Sequence, residues 1–295
     1  MNLRRKKMRD FVISANSTVD LPKEWLDENH VNVMPISYTI DDVTYQDYDG
    51  KLSSKDFFAK LKAGSTSVTS QVNPEDAKES LEPLLKEGKD VLHLSFSSSL
   101  SGTYNSIRMA VDELKEEYPE AKIHVIDTLS ACMGEGLLLY KVIGLKNEGK
   151  SFEEIVDWVE ANKLHICHFF TVDDLNHLHR GGRVSKASAV IGTLVQIKPI
   201  LHMDNEGALK PIGKERGRKK ALTTLVDMAV EHSKGWENDI VMISQGDALE
   251  DARYVEKLVK EKMGVENVLI NEIGSVIGSH TGPGIIALFC MGEKR

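Results

Sequence analysis

The sequence predicts an α/β protein made of two α/β domains, the first a mostly parallel sheet flanked by helices. Short apolar runs alternate with helical segments through the first half of the chain, a pattern typical of parallel strands joined by helical crossovers. The chain has 295 residues, which fits two domains of ordinary size. The pattern changes near residue 164, so we place the domains at 1–164 and 165–295.

The first half contains the clearest alternation of strands and helices. Residues 31–40 alternate apolar and polar side chains, as a half-buried strand does. The acidic stretch 41–50 is expected to be exposed, and the hydroxyl-rich stretch 65–71 (STSVTSQ) to be a loop. The predicted strands are 11–13, 31–40, 91–94 and 123–126, and the predicted helices are 20–26, 53–61, 74–88, 107–118 and 131–147.

The second half is less regular. A hairpin is predicted around residues 205–207, and glycine-rich loops are expected around His280 before a final apolar segment. The predicted strands are 166–172, 201–203, 209–211, 240–244 and 268–270, and the predicted helices are 173–179, 187–197, 215–233 and 249–263.

The stretch SFSSSLSGTYNS at 95–106 joins a buried strand to a helix through small hydroxyl residues and a glycine. Free N–H groups and the macrodipole at a helix N-terminus favour an anion, and serine hydroxyls add uncharged donors. A simple N-cap with surplus serines explains the stretch equally well. Polar loops at Asn16, Thr69, Ser98 and Thr128 are expected to converge on the carboxyl edge of the sheet, where such folds bind ligands.

Composition excludes several classes of protein. The formal net charge of −8 argues against general nucleic-acid binding, which needs a basic surface. Three widely spaced cysteines indicate reduced thiols in a cytoplasmic protein. A basic start, MNLRRKKMRD, is followed by no long apolar run, so neither export nor a transmembrane segment is expected.

Two motifs suggest chemistry that their context does not support. GLKNEGKS at 144–151 matches the phosphate-loop pattern, but an apolar helical face precedes it where that loop needs a strand. We therefore interpret Ser151 and Glu154 as a capping box. Several histidines and a cysteine at 165–179 lack the spacing of a known zinc module, so no metal is predicted.

Two further features of the sequence each allow two interpretations. The basic cluster between Lys210 and Lys220 is either a solvated helix face or a patch for an acidic or phosphate-bearing partner. His280, in the stretch GSHTGPG, is either structural or an anion donor.

Seven motifs in this order resemble the DegV family of bacterial fatty-acid-binding proteins. They span nearly the whole chain and are NSTVDLP (16–22), TSQ (69–71), SSSLSGTYNS (97–106), VIDTLSACMGEG (125–136), DLNHLHRGGRVS (174–185), IKPIL (197–201) and GSHTGPG (278–284). The resemblance implies two α/β domains with a ligand cleft between them, occupied by a long-chain fatty acid. It also implies a non-catalytic subunit that offers the carboxylate to a separate kinase.

The resemblance also implies a set of site residues. The carboxylate ligands map to Thr69 and Ser98, with His280 and Arg183 as further candidates and Ser70 and Gly102 lining the same place. Arg216 and Arg218 map to the region that would meet the kinase. Asn16 replaces the aspartate usual in the family's first loop, so that acid cannot act as a base here.

The predicted function is therefore fatty acid binding and presentation to a kinase, without catalysis and without a cofactor besides the lipid. Two alternatives stay open, namely a small-molecule phosphotransferase and a lipid carrier or sensor that has no kinase partner. A cytoplasmic location with transient contact to a membrane surface is expected.

Overall fold

The computed structural model describes residues 9–185, 196–293 and 295. Its strands are β1 (Phe11–Asn16), β2 (Asn32–Met34), β3 (Ser37–Ile40), β4 (Val43–Gln46), β5 (Ser67–Ser70), β6 (Asp90–Ser95), β7 (Ile123–Asp127), β8 (Ile166–Thr171), β9 (Ile197–Met203), β10 (Leu209–Arg216), β11 (Val241–Gln245), β12 (Val268–Glu272) and β13 (Ile286–Met291). Its α-helices are α1 (Lys23–Glu28), α2 (Ser54–Lys62), α3 (Pro74–Lys86), α4 (Thr103–Glu117), α5 (Met133–Asn147), α6 (Phe152–Asn162), α7 (Asn176–Arg180), α8 (Arg218–His232), α9 (Leu249–Met263) and α10 (Ser275–Thr281).

The first half folds around a parallel four-stranded sheet in the order β2-β1-β6-β7. All six residues of β6 are buried, which matches the apolar Val91, Leu92 and Leu94 at its centre, because helices cover both faces of such sheets. The parallel register brings the carboxyl ends of β1, β6 and β7 to one edge. The predicted parallel sheet is confirmed, and the loops at Asn16, Ser98 and Thr128 meet at this edge as expected.

The second half folds around a six-stranded sheet in the order β10-β9-β8-β13-β11-β12. Its neighbouring strands are antiparallel except β11 and β12. Apolar side chains of α8 and α9 form one core against this sheet, while a second core joins the two halves of the chain. The predicted α/β fold class is confirmed, and the boundary at residues 164 and 165 stays a prediction.

A third sheet, which the sequence did not predict, has the antiparallel order β4-β3-β5. The predicted strand at 31–40 is wrong as a single strand, because Pro35 lies between β2 and β3 and lacks the N–H that a ladder needs. The predicted loop at 65–71 contains β5, which pairs with β3. The predicted exposed stretch at 41–50 contains β4 and the buried Asp47.

Two boundaries in the second half also differ from prediction. The predicted helix 215–233 begins at Arg218, because β10 continues through Arg216 and Gly217 turns the chain at φ +92°. His280 lies in the last turn of α10 and not in a glycine loop. The predicted helix 187–197 lies outside the described residues apart from its last two positions.

The structure supports the interpretation of residues 144–151 as a helix end. Helix α5 runs to Asn147, Gly149 has φ +84°, and Ser151 and Glu154 form both hydrogen bonds of a capping box. No helix within the described residues has the length and hydrophobicity to cross a bilayer.

Candidate functional site

An apolar cavity of about 200 Å³ lies between the two large sheets. Phe96 and Leu100 line it from the first half of the chain, and Phe170 and Phe289 line it from the second. Because a cavity needs roughly 10–15 Å³ to hold one water molecule, this volume admits about 13 to 20 groups of that size. A long-chain fatty acid has a similar number of heavy atoms.

One end of the cavity is polar and consists of Thr69, Arg183 and His280. The Thr69 hydroxyl lies 2.8 Å from His280 Nε2, which joins β5 to α10. Arg183 Nε and Nη2 donate to the Leu100 carbonyl at 3.0 and 2.6 Å. These contacts fix the three side chains at the junction of the two halves.

The charge of Arg183 has no anionic partner within the described residues. Its guanidinium donates to the carbonyl oxygens of Leu100 and Gly181, and no carboxylate pairs with it there. Burial lowers the pKa of Arg183, yet arginine stays protonated in proteins. A half-buried cation at the end of an apolar cavity therefore favours an anionic group on an otherwise apolar ligand.

His280 is neutral near pH 7. Burial, with a smaller contribution from Arg183, lowers the pKa of His280 to about 4. Its Nδ1 is buried without a hydrogen-bond partner among the described residues. Gly181 packs against this atom so closely that an added Cβ would lie 2.2 Å from it.

Substituting Gly181 by alanine is expected to displace His280 and to weaken binding of an apolar ligand with an anionic group by about tenfold, because overpacking typically costs about 1–3 kcal/mol. Calorimetric titration with a fatty acid measures the effect. Gly144→Ala in α5 is the matched control, since no atom lies within 4 Å of its added Cβ. Equal affinities of the two variants would contradict the proposed contact.

The structure brings five of the six predicted site residues to the cavity. They are Thr69, Ser70, Gly102, Arg183 and His280. Ser98 is not among the lining residues; its backbone N–H donates to Asp127 at 3.2 Å, and its role stays a prediction. Ser101, three residues further along the same loop, lines the cavity instead.

The two arginines predicted to face a kinase differ in their surroundings. Arg216 is exposed at the end of β10. Arg218 forms ion pairs with Asp251 at 2.7 Å and Asp173 at 3.6 Å, and donates to the Gly284 carbonyl. Arg218 is thus held by internal contacts, and Arg216 is the more available of the two.

Two carboxyl groups that sequence reasoning did not identify lie behind the site. Asp20 Oδ1 accepts a hydrogen bond from Gly274 N at 3.0 Å, just before α10. A Cβ added at Gly274 would lie 3.0 Å from Asp47 Oδ2, so the two carboxyl groups converge on this backbone. Burial raises the pKa of Asp47 to about 7 and the pKa of Asp20 well above its ordinary value. The acidic character of residues 41–50 gave no sign of this burial.

The other end of the cavity includes Cys132 and His168, which sequence reasoning also did not assign to it. Burial holds the pKa of His168 well below its ordinary value, and Nδ1 lies 2.9 Å from the Ile166 carbonyl. Within the described residues, no three His, Cys, Asp or Glu side chains are grouped so as to hold a metal ion.

The fold and the cavity define a two-domain α/β protein with an apolar site between its sheets that ends in a cationic group. The DegV family model, described as an uncharacterised protein family, matches residues 10–293. The chain therefore belongs to the DegV family. A DegV domain-containing protein of Clostridium perfringens is 43% identical over 289 residues, covering 98% of this chain and 99% of the relative.

Solved structures of the family have the same fold. A stearic acid-binding protein from Eubacterium ventriosum superposes with a TM-score of 0.88 at 26% identity, covering 96% of this chain and 98% of that one. DegV of Bacillus subtilis, a fatty acid binding protein, gives a TM-score of 0.82 at 30% identity, covering 96% of this chain and 100% of that one. These relatives are described as binding proteins, which agrees with the predicted class.

Proposed function

We propose that this protein binds a long-chain fatty acid in the cavity between its two sheets, with the carboxylate at Thr69, Arg183 and His280. The observation that carries the proposal is the Arg183 cation at the end of an apolar cavity, where no carboxylate of the described residues pairs with it. Related DegV structures described as fatty-acid-binding support the same ligand.

The energetics favour retention of the chain. Burial of an acyl chain contributes about 0.8 kcal/mol per CH₂, so a dozen methylenes contribute on the order of 10 kcal/mol before the costs of association. The carboxylate needs partners once water is excluded. Arg183 has five N–H donors, three of which reach carbonyl oxygens, so two have no acceptor among the described residues and are available to the ligand. The Thr69 hydroxyl and the neutral His280 ring share one hydrogen bond, so this pair supplies one further donor without charge.

We further propose that the protein presents this carboxylate to a separate kinase subunit. Thr69, Arg183 and His280 also line an outer cleft, so one carboxylate oxygen would face the exterior. That oxygen would attack the γ-phosphorus of a nucleoside triphosphate, forming one O–P bond while the bond to the diphosphate breaks. Positioning and charge stabilisation dominate this reaction, so the lipid-binding subunit needs no catalytic residue. Arg216 is the favoured contact with the kinase, and Arg218 a less accessible one.

A cytoplasmic location suits this function, and the three cysteines, all buried as thiols outside any disulfide, agree with a reducing compartment. Transient approach to a membrane surface for lipid exchange is part of the proposal. The exposed Val68, 64% accessible on β5 beside the outer cleft, is an apolar contact for such a surface.

The test of the function combines lipid analysis with a kinase assay. Mass spectrometry of lipid extracted from the purified protein is expected to show one long-chain fatty acid per chain, and ATP with a kinase subunit is expected to convert it to acyl phosphate. ATP turnover by the isolated protein would identify a phosphotransferase instead. Bound lipid that no kinase phosphorylates would identify a carrier or sensor.

Ser101→Ala is expected to weaken fatty acid binding by about three- to tenfold, the loss of one ordinary hydrogen bond, whereas Ser98→Ala is expected to leave it unchanged. The reason is that Ser101 lines the cavity and Ser98 does not. Fluorescent fatty acid displacement measures both affinities. A loss of affinity in Ser98→Ala alone would instead support Ser98 as the carboxylate ligand, as the family resemblance implies.

A further inference from the structure

A separate cleft of about 330 Å³ lies immediately outside the polar end of the lipid cavity. Residues at and before β5, including Ser65 and Thr66, form one wall, and His177 and Arg180 of α7 form the other. Its inner wall is shared with the lipid cavity and consists of Thr69, Arg183 and His280. A group attached to a carboxylate at this wall would therefore extend into the cleft.

The composition of the cleft favours an anion. Its lining includes two arginines, two histidines and five hydroxyl residues, and the described lining contains no aspartate or glutamate. This is unusual on a chain whose formal net charge is −8. Two guanidinium groups in a described lining without aspartate or glutamate attract a doubly charged group such as a phosphoryl more strongly than a single carboxylate.

The hydrogen bonds show which donors remain for a ligand. Ser279 donates to the Ser275 carbonyl at 2.7 Å, so the 2.7 Å contact between Ser67 and Ser279 uses the Ser67 proton. Both serine protons are therefore engaged. Arg180 donates one N–H to His177 Nδ1 at 3.0 Å, which places the His177 proton on Nε2 and leaves four Arg180 donors without an acceptor among the described residues. Arg180 is thus the main donor available in the outer part of the cleft.

We propose that this cleft binds the phosphoryl group of an acyl phosphate, with Arg180 as its principal partner. This inference rests on the proposed fatty acid function, because it places the phosphoryl beyond a carboxylate held at the shared wall. The same chemistry suits a phosphate that is not joined to the lipid, such as inorganic phosphate. Arg180 is exposed and makes no contact with the acyl cavity, so its role is confined to the phosphoryl group.

The experiment compares two ligands on the full-length protein by calorimetric titration. One ligand is palmitate, and the other is its 2-oxoalkylphosphonate analogue, in which a methylene replaces the hydrolysable oxygen. Arg180→Gln is the test variant, and Arg253→Gln, an exposed arginine on α9, is the matched control. Inorganic phosphate added to the palmitate-bound protein is the second arm.

Arg180→Gln is expected to weaken the phosphonate by about tenfold and to leave palmitate within twofold, while Arg253→Gln changes neither. Binding of free phosphate that is lost in Arg180→Gln would also support the inference. It would show that the cleft accepts phosphate that is not joined to the lipid. Unchanged phosphonate affinity, or an equal loss for both ligands, would overturn the inference while the fatty acid function stands. Failure of the unsubstituted protein to bind either lipid would overturn the proposed function as well.

Discussion

Replacing Arg183 by glutamine is expected to weaken fatty acid binding by about 100- to 1,000-fold. The carboxylate would then lie at the end of an apolar cavity without its cation, and breaking a buried ion pair costs about 3–5 kcal/mol. We take the lower part of that range because Arg183 is only half-buried. Calorimetric titration with palmitate measures the loss.

The control for Arg183→Gln must separate binding from folding, because Arg183 also donates to the Leu100 carbonyl beside the cavity. Arg183→Lys keeps the charge but not the forked geometry, so it is expected to retain part of the affinity. Thermal unfolding of both variants without lipid reports the structural contribution. Normal palmitate affinity in a folded Arg183→Gln protein would exclude Arg183 as the carboxylate partner.

Through Asp47, the unsubstituted protein is expected to lose about 4 kcal/mol of its free energy of unfolding as pH rises from 4 to 7. Replacing Asp47 by asparagine is expected to remove this loss. Burial raises the pKa of Asp47 from 3.8 to about 7 in the folded protein. Below pH 4 both the folded and the unfolded chain hold this proton. As pH rises, the unfolded chain releases it first, so the free energy of unfolding falls until pH 7 and is then constant.

Asparagine cannot ionise, and its amide oxygen can accept the hydrogen bonds that the Ser275 and Val276 backbones donate to Asp47 at the start of α10. Asp47→Asn should therefore gain stability relative to the unsubstituted protein as pH rises through this range. Urea unfolding at pH 4, 5.5 and 7.5 measures the free energy of unfolding of both proteins. The difference between the two values cancels the contribution of the other carboxyl groups, because both proteins contain them. Parallel stability curves would show that Asp47 titrates normally in the fold.

The sequence predicted those parts of the fold that local patterns determine. Helix α9 matches its predicted span of 249–263. Its apolar spacing and the glycine that follows its end are both local features, so they predict the helix without distant contacts. Strand β6 was recognisable because burial on both faces favours a mostly apolar run, here Val91, Leu92 and Leu94 around His93. The order of seven family motifs identified the family and the two-domain fold before any contact was known.

The parts that were missed depend on contacts distant in sequence. Strand β5 is short and rich in hydroxyl residues, and pairing with β3 makes it a strand. Asp47 is only 7% exposed although it lies in an acidic stretch, because it packs against the start of α10, more than 200 residues further along the chain. The choice between Ser98 and Ser101 depends on how the central loop turns at the cavity, which local sequence does not determine.

A crystal structure of the protein with bound palmitate tests the central claim most directly. The account predicts the carboxylate within about 2.6–3.2 Å of Thr69, Arg183 and His280, with the acyl chain running inward toward Cys132 and His168. A chain bound with its carboxylate at the Cys132 end, or outside this cavity altogether, would contradict it.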